Sequence, residues 1–266
     1  DMKRKNVITV PMLLLLSSFF AQADDALEWG LATPAEVYAC DVREGSSSEK
    51  DTMSFVEDWK EWAAENGAFT KYTAQLMRPI SHNGTYPSWQ WLGYWPDYAA
   101  SGADAQARLE KGDQLVKTAS KFLDNCQHST FGGWFVREPK GDWVMRDHVT
   151  LFANCKYLDN KGDDDLLKAN AKYNGYLDSI GDENPIVQWW PTAGGPVYSD
   201  AGNDHDTTGW DFKWIAGFPS LVEYHEMVNT MWNGGMYSEF WSIYGDVMTC
   251  DSARIYEAKI IHTPTE

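Results

Sequence analysis

Trp89-Gln90-Trp91-Leu92-Gly93-Tyr94-Trp95-Pro96 returns as Phe212-Lys213-Trp214-Ile215-Ala216-Gly217-Phe218-Pro219, position for position and without a gap. Each stretch reads as a strand running into proline. The same offset of 123 carries Gly112 onto Gly235, and an offset of 124 carries Leu123-Asp124-Asn125-Cys126 onto Val247-Met248-Thr249-Cys250. Upstream, Tyr38-Ala39-Cys40 lines up with Ala153-Asn154-Cys155, and Trp59 and Trp62 with Tyr173 and Tyr176. An internal duplication of roughly 110 residues sets the architecture before any local propensity is weighed.

Working outward, each copy carries the same order of signals: strand, helix, strand, strand, helix, strand. In the first, Glu36–Arg43 alternates as a strand, and Ser46–Ser48 and Asp51 offer caps for a helix over about 51–66. That helix places Phe55, Trp59 and Trp62 on one face and ends at Gly67. Residues 73–79 and 88–95 read as strands, 103–123 as helix broken near Gly112, and 126–138 as the last strand. The second copy predicts strands at 149–158, 185–190, 210–218 and 250–261, with helices over 163–179 and 221–244, the latter interrupted at Gly234-Gly235. The expected organisation is a signal peptide 1–23, a lead-in 24–35, repeat one 36–138, a linker 139–147 and repeat two 148–262.

This βαββαβ order is that of the ferredoxin-like plait, in which first and last strands are neighbours. The expected fold class is therefore α+β, two tandem ferredoxin-like repeats forming a pseudo-dimeric α/β barrel. Over about residues 36–262 the element order resembles the dimeric α/β-barrel superfamily, which includes antibiotic-biosynthesis-type monooxygenases. The resemblance implies two sheets packed into a barrel with helices outside. It rests on no enzyme-specific motif, so it implies architecture more than chemistry.

Lys3, Arg4 and Lys5, the apolar run Met12 to Phe20 and the small-x-small Ala21-Gln22-Ala23 resemble a secretory signal. The run is short for a span of about 30 Å of hydrocarbon. Loss of residues 1–23 removes Asp1 and three bases, leaving 38 acids, 19 Lys plus Arg and a formal charge of −19. Such a surface repels nucleic acid and anionic lipid, so neither is an expected partner. The reading is a periplasmic or secreted protein, monomeric because the pseudo-dimer is fused. Four cysteines, one near each end of each copy, read as disulfides in an exported chain, and the repeat symmetry selects Cys40–Cys126 and Cys155–Cys250. A four-cysteine metal site lacks the close C-x-x-C spacing it would need.

Fourteen Trp, thirteen Tyr and eleven Phe point to an aromatic-lined cavity that stacks on an apolar or aromatic small molecule. Trp59, Trp62, Trp91 and Trp214 sit at repeat-matched positions and read as core. Trp89, Trp134, Trp190 and Trp210, at places where the other copy has no tryptophan, are the ligand-binding candidates. Trp189 and Trp190 are adjacent, so as strand residues they face opposite sides of their sheet.

His128 and His148 break the internal symmetry and are the candidate general bases, for a neutral histidine can take a proton near pH 7. His225-Glu226 lacks the second histidine of a zincin helix, since Asn229 stands there. Asp200, Asn203, Asp204 and Asp206 supply oxygens around Gly202 that could hold calcium, without the EF-hand's closing Glu; a solvated acidic loop is the simpler account. No resident metal or cofactor is expected. Three functions remain: an exported small-molecule binder, a cofactor-independent monooxygenase-like or isomerase-like enzyme, and a structural or interaction protein.

Overall fold

The computed structural model describes residues 29–81, 87–142, 145–193 and 209–264. The first half of the chain forms β1 (Thr33–Val42), α1 (Ser48–Asn66), β2 (Thr73–Ser81), β3 (Trp89–Tyr94), α2 (Tyr98–Lys111), α3 (Asp113–Ala119) and β4 (Leu123–Arg137). The second forms β5 (His148–Tyr157), α4 (Asp163–Ile180), β6 (Ile186–Ala193), β7 (Phe212–Phe218), α5 (Leu221–Asn233), α6 (Met236–Tyr244), β8 (Met248–Cys250) and β9 (Arg254–His262).

Local chemistry explains the boundaries. The Ser47 hydroxyl accepts from the Lys50 N–H while the Asp51 carboxylate accepts from the Ser47 N–H, so α1 starts three residues before the predicted position. It stops at Gly67, whose φ of 60° suits a residue without Cβ. The predicted helix 103–123 begins earlier, at Tyr98, because the Asp97 carboxylate caps the Ala100 N–H. The predicted last strand 250–261 is two strands, β8 and β9.

All strand pairs are antiparallel. Eight strands close on themselves in the order β7-β6-β4-β1-β3-β2-β9-β5, with β5 pairing back to β7, and β8 extends β5 beyond the ring. The first-half strands lie in the order β4-β1-β3-β2. Those of the second half lie as β6-β7-β5-β9, which is the same arrangement read from the other side. The seams are β2 with β9 and β4 with β6, so each half supplies one strand to each seam. The result is an α+β fold with an eight-stranded antiparallel barrel and six helices.

Alternation along the strands sorts side chains into three apolar clusters. Val37, Leu92, Phe131, Phe152, Trp189, Ile215 and Tyr256 fill the barrel interior. Phe55, Trp59, Trp62, Trp89 and Trp91 pack outside the wall with α1 and α3. Tyr173, Leu177, Trp214 and Phe218 do so with α4, α5 and α6. Both expected disulfides are present: Cys40 with Cys126 and Cys155 with Cys250.

Candidate functional site: a barrel cavity and a charged cluster behind its wall

One end of the barrel holds a cavity of about 550 Å³. Ala35, Leu92, Tyr94, Phe152, Val187, Trp189 and Ile215 form its apolar wall, and Thr33, Lys71, Thr73, Gln75, His148 and Thr150 are its polar members. Strand parity brings them together. His148, Thr150 and Phe152 are alternate residues of β5, so all three turn inward while Val149 and Leu151 face the helices. Gly133 stands opposite Trp189 across the β4–β6 seam, where a Cβ would lie 2.5 Å from the indole; glycine lets that ring lie against the wall.

His148 Nδ1 lies 2.8 Å from the Arg146 carbonyl, an acceptor only, so the neutral ring carries its proton there and Nε2 is the basic nitrogen. Burial pushes its pKa below the ordinary 6.5, against the Arg146 carbonyl and the Asp147 charge, so the ring is neutral at pH 7. Thr150 is 6% exposed, and its hydroxyl has no hydrogen-bond partner among the described residues. The other end of the barrel is charged and nearly filled. Lys213 Nζ donates to Asn154 Oδ1 at 2.7 Å, Asn154 and Arg254 both donate to Asp251, and the space left is about 10 Å³.

Behind the wall, under α1 and α3, lies a second cavity of about 420 Å³ whose floor is the outer face of β1 and β3. Its polar edge is built on Glu36. Tyr72 donates to Glu36 Oε1 at 2.8 Å, and His128 Nε2 and Arg108 Nη1 reach Oε2 at 2.8 and 3.2 Å. Trp91 Nε1 donates to the Tyr72 hydroxyl at 2.7 Å, Arg108 donates to the Tyr38 hydroxyl, and His128 stacks on Tyr38 with centroids 4.0 Å apart. Burial pushes the Glu36 carboxyl upward. The His128 hydrogen bond, the Arg108 charge and the Tyr72 hydroxyl outweigh that, holding it below the ordinary 4.5.

The residues singled out in the sequence do not form one site. His148 lines the barrel cavity, whereas His128 is on the opposite side of the wall with Glu36. Trp89 lines the cavity under α1. Trp134 and Trp190 line neither cavity. Trp190 shares the outer face of β6 with Ile186 and Gln188, and Trp29, Trp134 and Trp190 pack edge-on, with centroids 5.1–6.0 Å apart. The inward member of the pair is Trp189. Trp210 packs at the charged end, its ring 4.3 Å from Lys213 Nζ. The acidic residues Asp200, Asn203, Asp204 and Asp206 lie outside the described residues. Among the described residues no group of three or more His, Cys, Asp or Glu gathers to hold a metal ion.

Glu36, Tyr38, Tyr72 and Arg108 were not singled out, although a signal existed. The repeat alignment sets Glu36 against Leu151 and Tyr38 against Ala153, and the offset of 123 sets Arg108 against Met231.

No protein-family model matches the chain, and no curated protein matches it. Solved structures do. A candidate monooxygenase from Lactobacillus acidophilus NCFM superposes with a TM-score of 0.51 at 10% identity, covering 87% of this chain and 97% of its own. A candidate monooxygenase from Fusobacterium nucleatum gives 0.50 at 8% identity, with 87% and 94% covered. At such identities the likeness is one of fold: the chain shares the eight-stranded α+β barrel architecture of these structures.

Proposed function

We propose that the chain binds a small apolar or aromatic molecule in the barrel cavity. The observation that carries this reading is Thr150, a buried hydroxyl with no hydrogen-bond partner among the described residues, on the wall of a largely apolar space of about 550 Å³. Leaving such a hydroxyl unsatisfied costs about 1–3 kcal/mol, which a ligand's polar group can recover. The volume falls within the roughly 300–1,000 Å³ usual for small-molecule sites, and apolar walls with a few convergent polar groups are their usual make-up. The matched strand order of the two halves supports tandem ferredoxin-like repeats fused as a pseudo-dimer, a reason to expect a monomer. The two disulfides support export to the periplasm or medium, where such bonds persist.

One observation favours a second reading, general-base catalysis on a bound substrate: His148 stands neutral in the same cavity. Native mass spectrometry of protein purified from its own host, beside a denatured control, tests binding. An added mass under native conditions only, lost in Thr150→Val, is the expected result. A bare native mass, with no saturable tryptophan quenching by small aromatic compounds, would overturn the proposal. Turnover of a bound compound that disappears in His148→Gln would select the catalytic reading.

A further inference from the structure

We infer a second small-molecule site, separate from the barrel cavity: the space of about 420 Å³ under α1 and α3, suited to a flat, uncharged aromatic molecule bearing a carbonyl-type acceptor.

Three observations carry this. The first is a donor with nothing to donate to. Trp89 lines the cavity, is 7% exposed, and its indole N–H has no acceptor among the described residues. An indole nitrogen can only donate, so the missing partner is an acceptor. The second is the wall. Phe55, Trp59, Trp89 and Trp91 present aromatic rings with Leu115 beside them, a surface for stacking and edge contacts. The charged groups at the edge are already matched, because Glu36 is paired with Arg108 and bonded to His128 and Tyr72, and Arg43 is paired with Asp124. A ligand bringing its own charge would bury it without a counter-ion, so an uncharged one fits.

The third observation shows that the fold does not require this arrangement. Cross-strand register makes the two halves comparable residue by residue. Glu36 opposes Gly93 as Leu151 opposes Ala216, Tyr38 opposes Trp91 as Ala153 opposes Trp214, and Cys40 opposes Trp89 as Cys155 opposes Phe212. The second half thus builds the same wall with Leu151, Ala153 and Phe212, and its space under the helices is about 280 Å³. A buried ion pair contributes little net stability compared with apolar residues of similar volume. The first half keeps the pair, the unmatched indole and the larger space together, as a binding site needs and a packing layer does not.

The test uses 6-propionyl-2-(dimethylamino)naphthalene, an uncharged aromatic ketone whose emission reports an apolar surrounding, titrated into the full-length protein. Trp89→Phe installs the residue that the second half carries at this place; it removes the N–H and part of the ring while keeping an aromatic side chain, and circular dichroism checks that the variant is folded. Ala119→Trp fills the cavity, and Thr150→Val reports on the barrel alone. The expected result is saturable blue-shifted emission, weakened about fivefold or more by Trp89→Phe, as loss of one buried hydrogen bond predicts. The component of binding that Trp89→Phe weakens should be abolished by Ala119→Trp and unchanged by Thr150→Val, while binding in the barrel is the component that Thr150→Val weakens. Saturable binding that only Thr150→Val weakens would overturn the second site and leave the barrel site standing. Absence of saturable binding by the unaltered protein would also overturn it.

Discussion

Tyr38 and Ala153 occupy equivalent places in the two halves, each facing a tryptophan across a strand pair: Trp91 for Tyr38 and Trp214 for Ala153. Around Tyr38 the space behind the wall holds a carboxylate, a guanidinium, an imidazole and two phenols. Around Ala153 it holds Leu151, Met231 and aromatic rings, and the polar side chains that line it are Asp182, Asn184 and Asp251. Two similar backbones therefore carry different chemistry at the same position, and the difference can be measured half against half.

The ion pair gives the first contrast. Arg108→Met installs the residue at the matching offset but leaves Glu36 buried with one positive partner fewer. Removing one member of a buried pair costs about 3–5 kcal/mol, reduced to about 2–4 here because the Arg108 side chain is 29% exposed. Adding Glu36→Leu to that variant should recover most of the loss, since no uncompensated charge remains. Urea midpoints of the single and double variants check this, and equal midpoints would show that Glu36 does not depend on Arg108.

Acid should unfold the protein in two stages. His148 and His262 are both pushed below the ordinary 6.5 by burial, so the unfolded chain binds their protons first. Their contribution is complete above pH 6.5 and fades as pH falls from there through their folded values. Glu36 lies below the ordinary 4.5 in the folded protein, so its contribution is complete above 4.5 and is lost only below it. Stability measured in urea from pH 7.5 to 3 should therefore lose its first slope in part with His148→Gln, and its second with Glu36→Gln. A Glu36→Gln protein as acid-sensitive as the unaltered one below pH 4.5 would refute the assignment.

Periodicity made much of this legible in the sequence. The repeat of Trp89–Pro96 placed β3 and β7, and the symmetric cysteines chose their partners, because register and spacing are properties of the chain alone. Which of Trp189 and Trp190 faces inward was not legible. The choice depends on the parity of β6 against β4, set by a seam between halves, and the register shift after Thr130 shows that parity is not carried along the sequence. His128 was visible as a break in symmetry. Its meaning was not, since Glu36 and Arg108 reach it from β1 and α2 only after the sheet has formed. His148 was visible for the same reason and lines a cavity that no local pattern encodes.

The two disulfides should differ in effect. Cys155–Cys250 ties down β8, a three-residue strand that among the described residues pairs with β5 alone, whereas Cys126 lies in the fifteen-residue β4, which pairs with both β1 and β6. Replacing Cys155 and Cys250 by serine should speed amide exchange at Met248–Cys250 well before global unfolding. The Cys40/Cys126 pair should leave β4 protected and lower global stability by about 2–5 kcal/mol, as loss of a long-loop crosslink does. Hydrogen exchange followed by mass spectrometry separates the two, and protection retained at β8 would sink the local part of the claim.

Gly93 and Ala216 give the sharpest contrast between the halves. Gly93 lies opposite Glu36, and a Cβ there would fall 1.6 Å from the Tyr72 hydroxyl oxygen and 2.0 Å from the ring carbon that bears it. Tyr72 is fully buried and cannot swing aside, and its hydroxyl both donates to Glu36 and accepts from Trp91. Gly93→Ala must therefore expel the ring and leave Glu36 and the Trp91 indole short of a partner. Overpacking costs about 1–3 kcal/mol and each orphaned buried group about as much again, so a loss of roughly 3 kcal/mol or more is expected. Ala216, opposite Leu151, is the same strand position without such a tyrosine. Ala216→Gly should cost only the roughly 0.5–1 kcal/mol of added backbone freedom. Urea unfolding of the two variants side by side decides the matter. If Gly93→Ala costs no more than Ala216→Gly, Tyr72 has room to move, and the cluster around Glu36 is not held by the close approach of Tyr72 to β3.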